Sequence, residues 1–550
     1  MPAPAAQPIS AEGNKALASN CFLYQALCEQ FEKQEPDDPE AIASGVAQLA
    51  NFAAGRHPGR FADGRIENRL LPLADAVDRA ERMPLDGVVP GQPGRPRVLH
   101  VASQVFQSGG HTRVLAKWIE KDPASHHLVA LTEQPVPVPE ILLAACSKQA
   151  GQVFNLPRQA SQMSRARALR ALAREADRVV LHHHCGDTVV VLALATTLRS
   201  PVAYFCHSPF FFGLGPTVAD LTLNTIPYFR ALTERFRFPR ATALLPGAGC
   251  NRPFVPYDKE QAKKALNLEP RTPVLLTSGW EHYFRPALGY DFFRTLQKVL
   301  KACGDVQVLV VGPRPDADFV PRELATDPRV RFPGIVSDPV PYYHAADLCL
   351  ESFPRSSLGG HVEAVAYGGA FPIPVYGPHE NLWRLDWPPL CDVSPRPTDE
   401  AHYVQTVAER AEGLSESRAL AAKLQGQLQA LDQQWPAVLQ NVYAQLDACK
   451  HSSGPIPAAE FSDTEDSHLL AAYDPPDLWS ELHKRFPYGK ALKLNAVSIT
   501  KGLQPTRRVL ARESRHACAA VKKAFEPVKK RYYRARIWAG AERRKLWRSA

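Results

Sequence analysis

The sequence predicts an α/β protein built from two doubly wound domains in tandem, with a helical region before them and long helices, a linker and a basic tail after them. Three observations carry this expectation. The chain has 550 residues, which exceeds one ordinary domain of roughly 100 to 200 residues. From Arg97 onward, short apolar β-type runs alternate with helical stretches, as in a parallel sheet covered on both faces. The alternation then restarts after the proline-containing stretch near 253–256. Composition agrees. Hydrophobic residues at 45% and charged residues at 22% supply buried cores and exclude dominant disorder, while 50 prolines argue against a fibrous coiled coil.

Taken in order, residues 1–95 hold helix-compatible segments at Ala16–Phe31 and Glu40–Ala54, punctuated by Pro and Gly near 35–39 and 87–96. The first domain, 96–255, has strand candidates at Val98–Ala102, His127–Thr132, Val153–Leu156, Arg178–His182, Val202–Cys206 and Ala241–Leu245. Its helix candidates are Thr112–Ile119, Arg165–Ala176, Val189–Thr197 and Val218–Phe236. In the second domain, 256–400, strands are expected at Val274–Thr277, Val306–Val311, Val330–Phe332, Leu348–Leu350 and Phe371–Val375, with helices near Leu288–Lys301, Val340–His344 and His361–Tyr367. Residues 401–450 read as long amphipathic helices, 451–500 as a linker and 501–550 as a basic amphipathic tail.

Charge is segregated. The net charge is +9, but residues 501–550 carry 16 Lys/Arg against 3 Asp/Glu, so the other 500 residues sum to −4. Within the tail Val521, Phe525, Val528 and Tyr532 follow helical spacing between basic faces. That pattern suits an anionic bilayer surface; nucleic acid is the less favoured partner, and a solvated charged tail is the plain alternative. Eleven cysteines without a C-x-x-C pair suggest reduced thiols. No basic n-region with an apolar stretch opens the chain, and no apolar run reaches about 18 residues, so a cytoplasmic protein, peripheral at most to the inner face of a membrane, is expected.

The strongest chemical signal lies between Asp347 and Ile373, which reads strand, glycine-containing loop, helix, strand. Small residues Ser356, Ser357, Gly359 and Gly360 let an anion approach the backbone at a helix start, where free N–H groups and the positive helix end favour phosphate. Glu363, one turn in, is placed to accept hydrogen bonds from a ribose diol. The first domain repeats Gly-Gly-His at 109–111, between strand and helix signals, as at 359–361; a tight turn that merely permits packing remains the bland reading.

The 347–373 segment, with Ser352-Phe353-Pro354 followed by Ser/Gly and Glu363-Ala364, resembles the donor-binding region of nucleotide-sugar glycosyltransferases with two facing Rossmann-like domains, the GT-B fold. In motif it is most similar to bacterial adhesin N-glucosyltransferase-like enzymes and, further off, O-GlcNAc transferases. In the larger retaining family, with two Glu residues eight positions apart, the second matches Glu363 and the first falls on Arg355. The resemblance spans roughly 97–400. It implies a pyrophosphate-contacting base at Arg285, within Leu276–Pro286, and further donor contacts at Gly110, Gly279, Gly312, Ser357, Gly359 and Gly360. Backbone groups of Gly334-Ile335-Val336 would meet the nucleobase.

On the acceptor side it implies catalytic roles for His111, His207 and Asp220, the last two flanking the aromatic run Phe210-Phe211-Phe212. Imidazoles titrate near neutrality and suit a general base. His184 and Asp187 are expected to line the cleft; a metal at Leu181–Asp187 is disfavoured because adjacent strand residues point to opposite faces. Asp316-Ala-Asp318 fits a D-x-D pattern only in letters, within a Pro-rich loop. The implied function is metal-independent transfer of a hexose from a nucleoside diphosphate sugar, UDP-linked, to a protein or glycan acceptor. No cofactor is expected beyond the nucleotide sugar as co-substrate. A non-catalytic scaffold that keeps the fold, or a GT-B epimerase, remains open.

Overall fold

The computed structural model describes residues 11–34, 37–79, 94–107, 110–196, 200–245, 254–287, 289–377, 393–394, 396–449, 453–462, 467, 471, 478–501 and 503. The chain forms two compact units, residues 1–474 and 475–550. The first opens with helices α1 (Ala11–Gln34), α2 (Pro39–Gly55), α3 (Gly64–Glu67) and α4 (Leu71–Arg79). Beyond them the chain is of the α/β class, with two parallel, doubly wound sheets in tandem.

The first sheet contains β1 (Arg97–Ala102), β2 (His126–Leu131), β3 (Gln152–Asn155), β4 (Arg178–His182), β5 (Val202–Phe205), β6 (Leu221–Asn224) and β7 (Thr242–Leu244). Their order is β3-β2-β1-β4-β5-β6-β7. Interleaved are α5 (Gly110–Lys121), α6 (Glu140–Lys148), α7 (Gln162–Arg174), α8 (Thr188–Leu194) and α9 (Pro227–Phe236). The second sheet, in the order β10-β9-β8-β11-β12, is made by β8 (Val274–Ser278), β9 (Gln307–Val311), β10 (Val330–Gly334), β11 (Leu348–Leu350) and β12 (Phe371–Ile373). Its helices are α10 (Lys259–Ala265), α11 (Phe292–Ala302), α12 (Arg322–Ala325), α13 (Val340–Ala345) and α14 (Leu358–Gly368). All ladders are parallel. Strand order therefore reverses between β1 and β4 in one sheet and between β8 and β11 in the other, and such switch points open a crevice at the carboxyl edge.

The strands are held by burial on both faces. Every residue of β2 and β8 is buried. α11 shows why the helices dock: Asp291 caps it by accepting from Arg294 N at 3.1 Å, and Phe292, Phe293, Leu296, Val299 and Leu300 point together into a core with Leu275, Val308 and Val310. Each such side chain contributes about 1.5–3 kcal/mol by leaving water.

Three helices follow: α15 (Glu400–Glu412), α16 (Leu414–Gln433) and α17 (Trp435–Ala448). α15 and α16 bury Tyr403, Val407, Leu424 and Leu428 in the cores of the second sheet. α17 returns to the first, burying Trp435, Leu439, Val442 and Tyr443 beside Trp118 and Phe205. The crossing is pinned by Asp432, which meets Lys117 at 2.7 Å and Lys121 at 2.8 Å.

Two sequence expectations change. The helix expected over Val218–Phe236 is instead strand β6 followed by α9, because Pro227 fixes the helix start. Residues 451–500 are not a linker throughout. Residues 453–462 run along the N-terminal region: Gly64 N donates to Pro457 O at 2.9 Å, Ser462 N to Gly59 O at 2.8 Å, and Asn68 Nδ2 to Ile456 O at 2.8 Å. In the second unit α18 (Leu478–Arg485) and α19 (Tyr488–Thr500) are helical, with an Arg485–Glu481 pair at 2.7 Å one turn apart. The basic tail beyond 503 lies outside the described residues. Among the described residues no helix is long and apolar enough to cross a membrane.

Candidate functional site: two facing switch points

At the carboxyl edge of the second sheet three chain segments crowd together. β8 ends at Ser278-Gly279, whose N–H donates to Val311 O at 3.0 Å. β9 ends at Gly312, with φ +115°, and a Cβ there would sit 1.8 Å from Gly279 O, so only glycine fits. Over these lies the start of α14: Ser357 Oγ donates to Ser278 O at 2.5 Å, and a Cβ on Gly360 would come 2.7 Å from Ser278 Oγ. The buried hydroxyls of Thr277 and Ser278 have no hydrogen-bond partner among the described residues. α14 carries no side-chain cap and no acidic residue in its first turn, which leaves its positive end uncompensated. Gly359 is exposed, and a Cβ on it would meet nothing within 4 Å among the described residues. Thus Gly279, Gly312, Ser357, Gly359 and Gly360 share one cradle.

The helix signal at the two Gly-Gly-His sequences leads to different fates. His361 is buried, bonded to Cys349 Sγ at 3.3 Å, and burial drives its pKa down to about 3; it is core. His111 opens α5 on the other lobe, beside Gly110, which is exposed and open. Gly109 lies outside the described residues. His111 Nε2 donates to His182 O at 2.5 Å, burial lowers its pKa to about 4, and its ring lies 4.3 Å from that of His207. His207 is likewise held well below the usual imidazole range, chiefly by burial and then by His111 and His182. Both rings are therefore neutral at pH 7.

The remaining acceptor-side residues separate. His184 joins the group: its ring stacks on Phe106 at 6.1 Å and lies 5.9 Å from His111. Asp187 is buried and committed, accepting from Ser103 Oγ at 2.6 Å, Thr132 Oγ1 at 2.5 Å and Val189 N at 3.1 Å. It ties the ends of β1, β2 and β4 together under the cleft and does not line it. Asp220 precedes β6 and accepts from Val202 N at 2.8 Å, at the amino edge of the sheet. His207 follows β5 at the opposite edge, so Asp220 holds the strand ends and is not beside the imidazoles.

The two lobes meet over these edges. Arg113, in the first turn of α5, donates to Glu363 Oε1 at 3.3 Å, and Tyr343 Oη donates to Glu363 Oε2 at 3.2 Å. Arg355 lies over both Phe211 of the first lobe, at 5.2 Å, and Tyr283 of the second, at 5.8 Å. Tyr283 in turn packs against the Gly279 position. Of the aromatic run, Phe212 is core beside Tyr24 and Phe210 packs edge-on against Phe229 at 4.9 Å, while Phe211 is the residue reaching the interlobe cation.

Arg285 is held in a surface pair. Its guanidinium is half exposed, bonded to Asp318 at 3.1 Å and set over Phe319 at 5.1 Å. Arg314 pairs with Asp316 at 3.7 Å, and Ile335 is 72% exposed. Sequence reasoning missed Arg113 and Tyr343, whose roles depend on lobe contact, and Glu351. The last is buried beneath the 352–357 loop, accepts from Ser356 Oγ at 2.5 Å and Val375 N at 3.0 Å, and is pushed up to about 7 by burial.

No family model matches the chain. Among solved structures, a Thermobaculum terrenum O-GlcNAc transferase mutant is similar at 14% identity, over 79% of this chain and 83% of that one, with a TM-score of 0.47. Anabaena Alr3699/HepE in complex with UDP and glucose aligns at 15% identity over 63% of this chain and all of its own, with a TM-score of 0.46. WaaG, a glycosyltransferase involved in lipopolysaccharide biosynthesis, aligns at 13% identity over 63% of this chain and 99% of its own, with a TM-score of 0.41. Likenesses of this size name neither a family nor an activity for the chain, whose site is described by its own residues.

Proposed function

We propose that this chain is a glycosyltransferase that moves a hexose from a nucleoside diphosphate sugar, UDP-linked, to a protein or glycan acceptor, in the manner of the adhesin-type enzymes its motifs resemble. The observation that carries the reading is the Arg113–Glu363 contact. It sets the start of α5, with neutral imidazoles, against the glycine cradle at the start of α14. A diphosphate in the cradle meets unshared N–H groups of α14 and the Arg355 guanidinium, both of which stabilise leaving-group charge. A ribose diol reaches Glu363. His207 or His111, unprotonated at neutral pH, accepts the proton of the attacking acceptor group. This division of labour calls for no metal ion.

The test is a panel of nucleotide sugars scored by thermal unfolding. A donor at a hundred times its Kd stabilises by about 2.7 kcal/mol, and a UDP-sugar should raise the midpoint more than UDP or free hexose does. The scaffold alternative predicts the same protection with no transfer or donor hydrolysis; the reading fails if no nucleotide sugar protects. For the tail we propose contact with an anionic bilayer, from its alternating cations and aromatics. Removing 504–550 should then abolish sedimentation with phosphatidylserine vesicles and leave donor protection intact.

A further inference from the structure

Four imidazoles cross the first sheet in one unbroken hydrogen-bonded column. His207 Nε2 meets His182 Nδ1 at 3.0 Å, His182 Nε2 meets His100 Nδ1 at 3.2 Å, and His100 Nε2 meets His127 Nδ1 at 3.1 Å. The strand register produces it. His100 is opposite Val129 of β2 and Val180 of β4, so His127, two residues before Val129, and His182, two after Val180, share its face. The column therefore runs obliquely from the cleft to the amino edge, where His127 Nε2 lies 2.9 Å from Asp122 O and 3.7 Å from Asp122 Oδ2. Tyr443 Oη donates to that same Oδ2 at 2.7 Å.

One end fixes every tautomer. A carbonyl only accepts, so His127 Nε2 carries a hydrogen and its Nδ1 is a lone pair. His100 Nε2 must then donate, as must His182 Nε2 and His207 Nε2 in turn. The outcome is a one-directional chain that leaves His207 Nδ1 as an acceptor at the cleft. A core needs no such arrangement for packing, since apolar residues fill it at less cost.

We propose that this column is a proton relay, joining the cleft at His207 to the carboxylate of Asp122 on the far edge of the sheet. A proton taken up at His207 Nδ1 releases the Nε2 proton to His182 Nδ1; His182 Nε2 passes its own to His100 Nδ1, and His100 Nε2 to His127 Nδ1. His127 Nε2, whose resting hydrogen bond is to the Asp122 carbonyl, gives the last proton to Asp122 Oδ2 when the carboxylate closes the 3.7 Å gap between them. No imidazole ends with a net charge: each changes tautomer, the Asp122 carboxylate becomes the acid, and reverse passage resets the chain. Burial is what makes a relay necessary, because His100, His182 and His207 are all held well below the usual range by loss of water and a localised imidazolium would be costly. The groups facing the column are His111, His183 and His184 at the cleft end, Trp118 and Phe205 along its sides, and His126, Arg95 and Asp122 at the far end.

The proposal rests on the transferase reading only for its role in turnover; protonic continuity can be measured without substrate. In full-length protein labelled with ¹⁵N-histidine, all four Nδ1 atoms should give lone-pair shifts at pH 8, and acidification should move His207 and His127 together, with one midpoint. His100→Gln is the discriminating variant. Its amide accepts from His182 and donates to His127, preserving the tautomers, but cannot pass a proton. It should uncouple His127 from His207 and slow sugar transfer about tenfold, part of the 10²–10⁴ typical of general base catalysis. Should His100→Gln fail to fold, Asp122→Asn keeps the carbonyl anchor, removes the sink and should act alike. Independent midpoints in the wild type, or coupling that survives His100→Gln, would overturn the relay. Coupled titration in a protein that transfers no sugar would sink the transferase reading alone.

Discussion

Glu363→Gln probes the contact that joins the lobes. Its carboxylate faces the Arg113 guanidinium at 3.3 Å, with side chains 10% and 12% exposed, and a Tyr343 hydroxyl at 3.2 Å. At an effective dielectric of about 20 the bare attraction is about 5 kcal/mol. Desolvation of both groups offsets most of this, and the residual exposure screens more, leaving a net of about 1–2 kcal/mol. A double-mutant cycle of Glu363→Gln with Arg113→Met, followed by urea unfolding, should return a coupling energy of that size. The same substitution weakens donor binding, because a ribose diol loses a charged acceptor worth about 1.5–3 kcal/mol, or roughly tenfold to 150-fold in Kd. Arg113→Met, which removes the guanidinium from Glu363 Oε1 and leaves the carboxylate in place, should weaken UDP binding less. Calorimetry that finds UDP affinity unchanged in Glu363→Gln would remove Glu363 from the donor site, whatever the unfolding data show.

Other outcomes follow from the same geometry. Arg355→Ala should reduce UDP affinity more than Arg285→Ala, since Arg285 is an exposed partner of Asp318; the reverse ranking, measured by calorimetry, would move the phosphate away from the cradle. Gly312→Ala should unfold at markedly lower urea, because its Cβ would overlap Gly279 O. Glu351, raised to about 7, favours the folded state while protonated, so stability is fullest below the unfolded value near 4.3 and declines as pH rises through 7. The swing is about 4 kcal/mol, and Glu351→Gln should abolish it. His57 and His361, lowered to about 3, act in the opposite window: they favour the fold above pH 6.5 and cost stability as pH falls towards 3, which acid unfolding of His361→Asn should show as a shallower decline.

The alternation of apolar runs and helical stretches made every strand but β6 legible, since the buried parallel strands are largely apolar. β6 escaped because Leu221–Asn224 is only four residues long and continuous with apolar helix signals up to Pro227. The docked stretch 453–462 was illegible for another reason: it is held largely through carbonyls of Ile456, Pro457 and Ala459, which any sequence supplies. At the site, the glycines of the cradle were legible because close backbone approach excludes side chains. The expectations of a cleft-lining Asp187 and a catalytic Asp220 failed because a carboxylate that accepts from backbone N–H groups has the same letter as one that faces substrate. The histidine column was invisible in one dimension; it exists only once the register sets His100 between His127 and His182.

The most direct measurement uses Gly359→Asp. The position is open, so the substitution introduces no clash, and a carboxylate in the first turn of α14 favours the helix by about 0.3–1 kcal/mol. With a diphosphate held at that turn, UDP-sugar binding by calorimetry should be lost while the unliganded midpoint is unchanged or slightly higher. Full UDP-sugar affinity in a stably folded Gly359→Asp protein would contradict it.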